Sequence, residues 1–294
     1  FFGCYSSFRC HISGFLYGGK TISDWGHWIK QRSMKIILPA LMLSVVALVI
    51  GWLNGERYDV LSVLFILFQL QGLAFLLPGI GQCFKGHSML GPLWFLTVIM
   101  LCYCLIPILQ KLRGSAMRRQ SLVGLVVAAG GCFVLCMTTQ INLFYFLTFV
   151  LGYFLGTENP QIHTKHITVL TVGIVPFQIL RLLLRSCVDG TPLYQTYTYL
   201  SHLMLGLLIL CFFLWCGEAF PTLMTGLANS KAISAFDELS LYVYMVHGCF
   251  CGGLLSPYGA TESLLLATIL FFLLTLVGAC LLRKATKAVS AVCR

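Results

Sequence analysis

The stretch "IILPALMLSVVALVIGWL", residues 36–53, decides the fold class of this sequence. It holds 18 consecutive residues without a charge. An apolar run of roughly 17 to 25 residues is long enough to cross a bilayer as an α-helix. We therefore predict a transmembrane helix here, and similar runs occur on both sides of it along the chain.

The composition and the other apolar runs predict the same architecture. Hydrophobic residues make up 59% of the chain and charged residues 10%, whereas soluble domains carry about 25% charged residues. The runs are continuous, unlike the alternating segments of roughly ten residues in a transmembrane barrel. We predict an all-α fold, a polytopic transmembrane helix bundle that forms one membrane-embedded domain over residues 1–294. About ten segments have a suitable length, and they are 1–18, 36–53, 60–80, 89–110, 121–138, 141–156, 167–184, 197–216, 239–257 and 263–283.

The net charge of +10 is first interpreted by the positive-inside rule, which places Lys and Arg in cytoplasmic loops. A second interpretation is attraction to phosphate-bearing partners, whereas basic residues scattered over short loops do not indicate nucleic-acid binding. The basic segments 111–120 and 281–294 are predicted to be cytoplasmic. The segment 20–35, with two tryptophans, is predicted to lie at the membrane interface. The segment 20–35 lies on the same side of the membrane as the basic segment 111–120 only if one segment within 60–110 does not cross fully. We expect this incompletely crossing segment to lie within 60–88.

The cysteines and histidines predict no metal site. Many of the 14 cysteines lie inside apolar runs, where they serve as small hydrophobic residues. No C-x-x-C pairs with a second one at zinc-finger spacing. His163 and His166 have H-x-x-H spacing, but they lie in a solvated loop.

Arg9 and Ser13 are the first candidate cavity residues. Ser6, Arg9 and Ser13 are spaced by three and four, so a helix places them on one face. Ionisable residues at membrane depth cost about 2.5–3.5 kcal/mol and usually face the bundle interior. The alternative is an arginine that extends to the interface from a helix end. Ser13 and Gly14 are small, which predicts close packing against another helix.

Lys30, Arg32 and Lys35 are candidate donor-binding residues, directly before the apolar run. One interpretation is a positive-inside signal without further function. The other is an anion-binding cluster, because cations on one helix suit the phosphates of a nucleotide-bearing donor. The sequence alone leaves both open.

His247 is the candidate catalytic residue, and Ser240 and Tyr244 are candidate cavity residues beside it. The three positions follow the pattern i, i+4, i+7 and so share a helix face. His247 is either a hydrogen-bonded structural residue or a proton-transfer group that titrates near neutrality. Trp94 is a further cavity candidate at the start of an apolar span, although an interfacial tryptophan is ordinary there.

Five stretches, taken in this order, resemble motifs of the acyltransferase 3 family of integral-membrane acyltransferases. They are "ISGFLYGGK" (12–20), "KQRSMKIILP" (30–39), "GPLWFLTVIMLCYCLIPIL" (91–109), "LFYFLTFVLGYFLG" (143–156) and "ELSLYVYMVHGCF" (238–250). The first, second and last are similar to the family's S-G-F-L helix end, its R-x-x-R-x-x-P segment and its late S-x-x-x-Y-L-x-H helix. The resemblance covers nearly the whole chain.

The resemblance implies an O-acyltransferase of the plasma membrane. Such enzymes usually transfer acetyl from acetyl-CoA to a hydroxyl of a cell-surface or exported polysaccharide or related glycan. Acetyl-CoA would be a co-substrate, with no bound cofactor, and the partners would be acyl-CoA, a carbohydrate or glycolipid acceptor and the lipid bilayer. The resemblance also implies that Arg32 and Lys35 lie near the donor and that His247 lies at or near the cavity.

Two departures from the family pattern affect these expectations. The family has a helix before the S-G-F-L helix, with the histidine usually assigned to catalysis, and no residues before Phe1 supply it here. We therefore expect an N-terminally truncated domain, whose activity without that helix is open. His11 does not occupy that histidine's place. Lys35 replaces the second arginine of the motif, which keeps the charge but loses the bidentate geometry.

Two other classes of protein remain compatible with the residues themselves. A multi-pass transporter or flippase of a glycan or lipid also buries Arg and His. Such proteins commonly have paired broken helices in two related halves, and the sequence has no such symmetry. A catalytically inactive membrane subunit is the remaining alternative.

Overall fold

The part of the chain that the structure describes folds into helices. The computed structural model describes residues 2–77, 88–113, 121–158, 160–251 and 255–292, and these residues contain no strand. The helices are α1 (Phe2–Gly18), α2 (Trp25–Leu53), α3 (Val60–Leu67), α4 (Gln71–Leu76), α5 (Trp94–Arg113), α6 (Ser121–Thr139), α7 (Phe144–Glu158), α8 (Thr164–Val188), α9 (Pro192–Ala219), α10 (Pro221–Ala228), α11 (Lys231–Cys251) and α12 (Leu264–Val292). Two 3₁₀ helices are Ser88–Leu93 and Pro257–Gly259. The predicted all-α fold is confirmed.

Several of these helices have the length and composition of membrane spans. Among the described residues, 5 helices meet both criteria, namely Trp25–Leu53, Met89–Arg113, Thr164–Val188, Pro192–Ala219 and Leu264–Ala291. Shorter apolar helices are Val127–Thr139 and Phe144–Glu158. The protein is therefore a multi-pass membrane protein, as its composition predicts.

The prediction of one continuous span at 60–80 is wrong over the described residues 60–77, whereas the expectation that a segment within 60–88 does not cross fully agrees with them. The structure has α3 with 8 residues and α4 with 6 residues there, which extend about 12 Å and 9 Å and cannot cross about 30 Å of hydrocarbon. The chain breaks at Gln69, whose φ is 56°. Gln69 Nε2 donates to Ser44 Oγ at 2.8 Å, and Thr97 Oγ1 donates to the Gln69 carbonyl. These bonds satisfy polar groups that a break would otherwise leave unpaired.

The segment 20–35, predicted to lie at the membrane interface, contains the start of α2 in the structure, and its position in the membrane stays a prediction. Asp24 caps α2 by accepting from the backbone N–H of His27 at 2.9 Å, which satisfies one of the donors left over at a helix start. From Trp25 the helix then continues without interruption to Leu53. The basic residues and the apolar run therefore belong to one helix, with the basic residues in its first turns.

The chain divides into two compact units. Unit 1 comprises residues 1–22, 76–78 and 101–226, and unit 2 comprises 23–75, 79–100 and 227–294. The predicted single domain over 1–294 stays a prediction.

Unit 1 is organised by a close contact between α1 and α7. Four glycines lie at this contact, with one i, i+4 pair on each helix: Gly14, Gly18, Gly152 and Gly156. A Cβ at Gly14 would collide with the Phe149 carbonyl, and a Cβ at Gly152 would collide with the His11 carbonyl. Small residues let helix backbones approach closely in membranes. The close packing predicted at Gly14 is confirmed, and its partner is α7.

Unit 2 is organised around α11 and α12. Tyr244 on α11 donates its hydroxyl to the Pro92 carbonyl, and Gly248 lies so close to Pro92 that a Cβ would be 2.6 Å from its Cδ. Arg283 on α12 forms an ion pair with Glu238 on α11. These contacts fix α11 against both the 3₁₀ helix that precedes α5 and α12.

Candidate functional site

A cavity lined by several basic residues, called the basic cavity, lies in unit 2. Its volume is ≈ 1210 Å³, which exceeds the range of about 300–1,000 Å³ that is usual for small-molecule sites. It is lined by His27, Lys30, Gln31, Arg32, Met34, Lys35, Tyr242, Thr286, Lys287, Ser290 and Ala291. The size accommodates a ligand as large as a nucleotide with an attached arm.

The first turns of α2 form one wall of the basic cavity. Lys30, Arg32 and Lys35 all line it, so the structure brings together the three residues that the sequence singles out as donor-binding. The Arg32 guanidinium lies 5.8 Å from the centre of the Trp28 ring, which is within cation–π range. This contact holds the guanidinium at the cavity wall, whereas the two lysine side chains are exposed. Their role in binding stays a prediction.

The other lining residues come from α12 and from Tyr242 of α11. Thr286, Lys287 and Ser290 line the cavity from α12. Sequence reasoning missed these residues, because the basic C-terminal stretch was interpreted only as a topology signal. No local pattern connects residues 286–291 to residues 27–35, and only packing brings them to one cavity.

The lining residues give the basic cavity a strong positive charge. Four of them are cations, Lys30, Arg32, Lys35 and Lys287, and no Asp or Glu is among those that the structure describes around the cavity. A concave site with charges of one sign concentrates counter-ions of the opposite sign. The arrangement is therefore chemically suited to a ligand with several phosphates.

His247 is held in a definite tautomer by its own helix. Its Nδ1 lies 2.6 Å from the Tyr244 carbonyl oxygen, and a carbonyl only accepts, so Nδ1 carries the proton. In the neutral ring the remaining nitrogen, Nε2, is then the one with a lone pair. Nε2 is buried, and the catalytic role of His247 stays a prediction.

Tyr244 packs beside this histidine, and Ser240 makes a hydrogen bond elsewhere on α11. The Tyr244 ring is 5.5 Å from the His247 ring and packs edge-on against Phe95 at 5.8 Å. The Ser240 hydroxyl donates to the Asp237 carbonyl at 2.8 Å. Trp94 is the first residue of α5, and its ring centre lies 5.9 Å from the ring centre of Phe95. None of Ser240, Tyr244, Trp94 and His247 is among the residues that line the basic cavity, although all belong to unit 2.

The other two candidate cavity residues, Arg9 and Ser13, belong to unit 1. Both lie on α1 and are half-buried. Next to them is a residue that sequence reasoning set aside: His11 is 0% exposed and donates from Nδ1 to the Ser7 carbonyl at 3.1 Å. Its ring fits beside Gly206, where a Cβ would be 3.0 Å from Nδ1. His11 is a packed interior residue of unit 1.

Two polar pairs between α8 and α9 were also missed. Arg181 donates to His202 Nε2 at 3.2 Å, and Gln178 donates to Ser201 Oγ at 2.8 Å. Paired polar residues of this kind join helices at membrane depth. Each of these residues looks ordinary in the sequence, because its partner lies on the other helix.

The histidine pair His163 and His166 has a capping role. The His163 backbone N–H donates to His166 Nδ1 at 3.1 Å at the start of α8. No group of three or more His, Cys, Asp or Glu side chains is arranged to hold a metal ion within the described ranges.

Comparison with protein families identifies the class of this protein. The family model described as an acyltransferase domain matches residues 11–284, which includes the basic segment of α2 and the His247 helix. The chain belongs to the acyltransferase 3 family. It is a membrane acyltransferase, so the resemblance of the five motifs is confirmed. Searches of curated proteins and of solved structures give no match.

Proposed function

We propose that this protein is an O-acyltransferase that moves an acetyl or other acyl group from acyl-CoA to a hydroxyl of a cell-surface or exported carbohydrate. The observation that carries the proposal is the basic cavity, in a chain of the acyltransferase 3 family. Its donor is a co-substrate that arrives and leaves in each cycle.

The charges of the basic cavity complement the donor. Coenzyme A carries a pyrophosphate and a 3′-phosphate, and a cavity with four cations and no described carboxylate attracts such a ligand. Arg32 offers a planar fork that bonds a phosphate through two N–H groups, while Lys30 and Lys35 act as point charges.

The direction of the helices supports a cytoplasmic position for the donor. The first turns of α2 and the last turns of α12 meet at the basic cavity, and both are rich in Lys and Arg. Basic helix ends of this kind favour the cytoplasmic side, where acyl-CoA is made. A location in the plasma membrane follows from a cytoplasmic donor and an exported acceptor.

The reaction transfers the acyl group from the thioester sulfur of the donor to a hydroxyl oxygen of the acceptor. The acceptor hydroxyl oxygen attacks the thioester carbonyl carbon, so a C–O bond forms and the C–S bond breaks. The hydroxyl proton passes to His247 Nε2 and is returned to the departing sulfur, which leaves as the coenzyme A thiol. His247 lies about 7.5 Å along α11 from Tyr242, because five positions separate them, and the pantetheine arm is long enough to bridge that distance.

The proposal is tested with membranes that contain the full chain, radiolabelled acetyl-CoA and cell-surface glycan. We expect label in the glycan with the native protein and none with Arg32→Ala, because the bidentate phosphate contact is lost. Arg57→Ala is the matched control, since Arg57 is exposed and does not line the basic cavity. The absence of transfer by intact, well-expressed native protein would contradict the proposed function. Equal transfer by Arg32→Ala would remove Arg32 from the donor site.

A further inference from the structure

We propose that Lys287 of α12 binds the pyrophosphate of the acyl donor and is the innermost cation of the donor site. This inference rests on the proposed function and adds a residue outside the α2 cluster. Lys287 lines the basic cavity from α12, whereas Lys30, Arg32 and Lys35 line it from α2.

The position of Lys287 along the cavity follows from its neighbour Thr286. Thr286 is 5% exposed, and its hydroxyl lies 3.9 Å from Met42 Sδ on α2. Residues 27–35 of α2 share the cavity with residues 286–291 of α12. Higher numbers on one helix therefore pair with lower numbers on the other, so the two helices are antiparallel.

This pairing places Lys287 deeper than the cations of α2. Met42 is seven positions beyond Lys35, or about 10 Å along the helix axis toward the apolar part of α2. Thr286 contacts Met42. The backbone of Lys287, the next residue, therefore lies at about the same depth as Met42. Lys30 and Arg32 lie still further toward the start of α2.

Two groups of contacts keep α12 in this register. Thr286 is packed against α2, and its hydroxyl also donates to the Leu282 carbonyl at 2.7 Å. Arg283, one turn before Lys287, forms an ion pair with Glu238 of α11. Lys287 is therefore presented to the cavity by a helix that is attached on two sides.

The depth of Lys287 decides which phosphate it binds. In acyl-CoA the pyrophosphate is joined to the pantetheine arm, while the 3′-phosphate is on the far side of the ribose. The thioester must point into the helix bundle, so the pyrophosphate lies deeper than the 3′-phosphate. The innermost lysine then meets the pyrophosphate, and Ser290, one turn away on the same face, supplies a hydroxyl beside it.

The test compares acetyl-CoA with acetyl-3′-dephospho-CoA, which keeps the pyrophosphate and lacks the 3′-phosphate. Initial rates are measured with native membranes, Lys287→Ala, Lys287→Arg and Lys284→Ala. We expect Lys287→Ala to raise KM about tenfold or more for both donors, with kcat little changed, because it removes a charge-assisted hydrogen bond. Lys287→Arg restores most of the affinity.

Lys284→Ala is the matched control. Lys284 is an exposed lysine one turn before Lys287 on α12 and does not line the basic cavity, so its KM stays native. The amount of each variant and its elution profile after solubilisation show that α12 is folded.

Three results would overturn the inference. An unchanged KM of Lys287→Ala for both donors, with active native protein, removes Lys287 from the donor site. A raised KM for acetyl-CoA only assigns Lys287 to the 3′-phosphate instead. A fall in kcat with unchanged KM indicates a structural role. Inactivity of the native protein toward acetyl-CoA is a different outcome, because it contradicts the proposed function on which the inference rests.

Discussion

The glycine contact of unit 1 and the basic cavity of unit 2 are built on opposite principles. In the glycine contact, a Cβ at Gly152 has no room beside the His11 carbonyl. In the basic cavity, long charged side chains surround ≈ 1210 Å³ of space. A single methyl group should disturb the first region, whereas larger changes in the second should leave the fold intact and alter binding or chemistry. The difference separates residues that maintain the helix packing from residues that we propose bind substrate.

Of the changes that compare the two units, His247→Ala is expected to have the largest effect, and it acts on chemistry alone. Loss of a general base lowers rates by about 10²- to 10⁴-fold, and we expect that fall in kcat for acyl transfer. The thermal unfolding temperature and acetyl-CoA binding should stay close to native, because the hydrogen bond of Nδ1 is to a carbonyl of the same helix and does not join α11 to another helix.

His163→Ala is the control for this change. His163 is exposed at the start of α8 and does not line the basic cavity, so the control should keep full activity. Native kcat in His247→Ala would exclude His247 as the proton acceptor. A large loss of folded protein would instead make His247 a structural residue.

Gly152→Ala is expected to have a smaller effect, and it acts on stability. The new methyl group meets the His11 carbonyl, and overpacking of this kind costs about 1–3 kcal/mol. Thermal unfolding of the purified protein in detergent measures the loss.

Gly173→Ala is the matched control, because Gly173 is also in a helix of unit 1 but has nothing within 4 Å of an added Cβ. Alanine there favours the helix by up to about 1 kcal/mol. Equal unfolding temperatures for the two alanine variants would show that the α1–α7 contact tolerates added volume, and the contrast between the two regions would be lost.

The sequence predicts those parts of the fold that depend on local information. The apolar run 36–53 is a helix because its residues need no distant partner to be stable in lipid. The span at 60–80 was predicted wrongly because its interruption at Gln69 depends on Ser44 and Thr97, which are remote in the chain. Gly14 could be predicted to pack closely, but the choice of α7 as its partner is a property of the fold.

The candidate site shows the same division. Lys30, Arg32 and Lys35 stand together in the sequence, so their shared cavity wall was predictable. Lys287 was not, because its relation to α2 depends on the contact between Thr286 and Met42. The tautomer of His247 likewise depends on a hydrogen bond that only the structure reveals.

Equilibrium binding of radiolabelled acetyl-CoA tests the central claim most directly, that the basic cavity holds the acyl donor. Native protein and the triple variant Lys30→Ala, Arg32→Ala, Lys35→Ala are purified in detergent and compared, with unlabelled coenzyme A as competitor. We predict saturable binding to native protein that coenzyme A displaces and that high salt weakens, and no saturable binding to the folded triple variant. Equal affinity of the two proteins would contradict the claim and place the donor elsewhere.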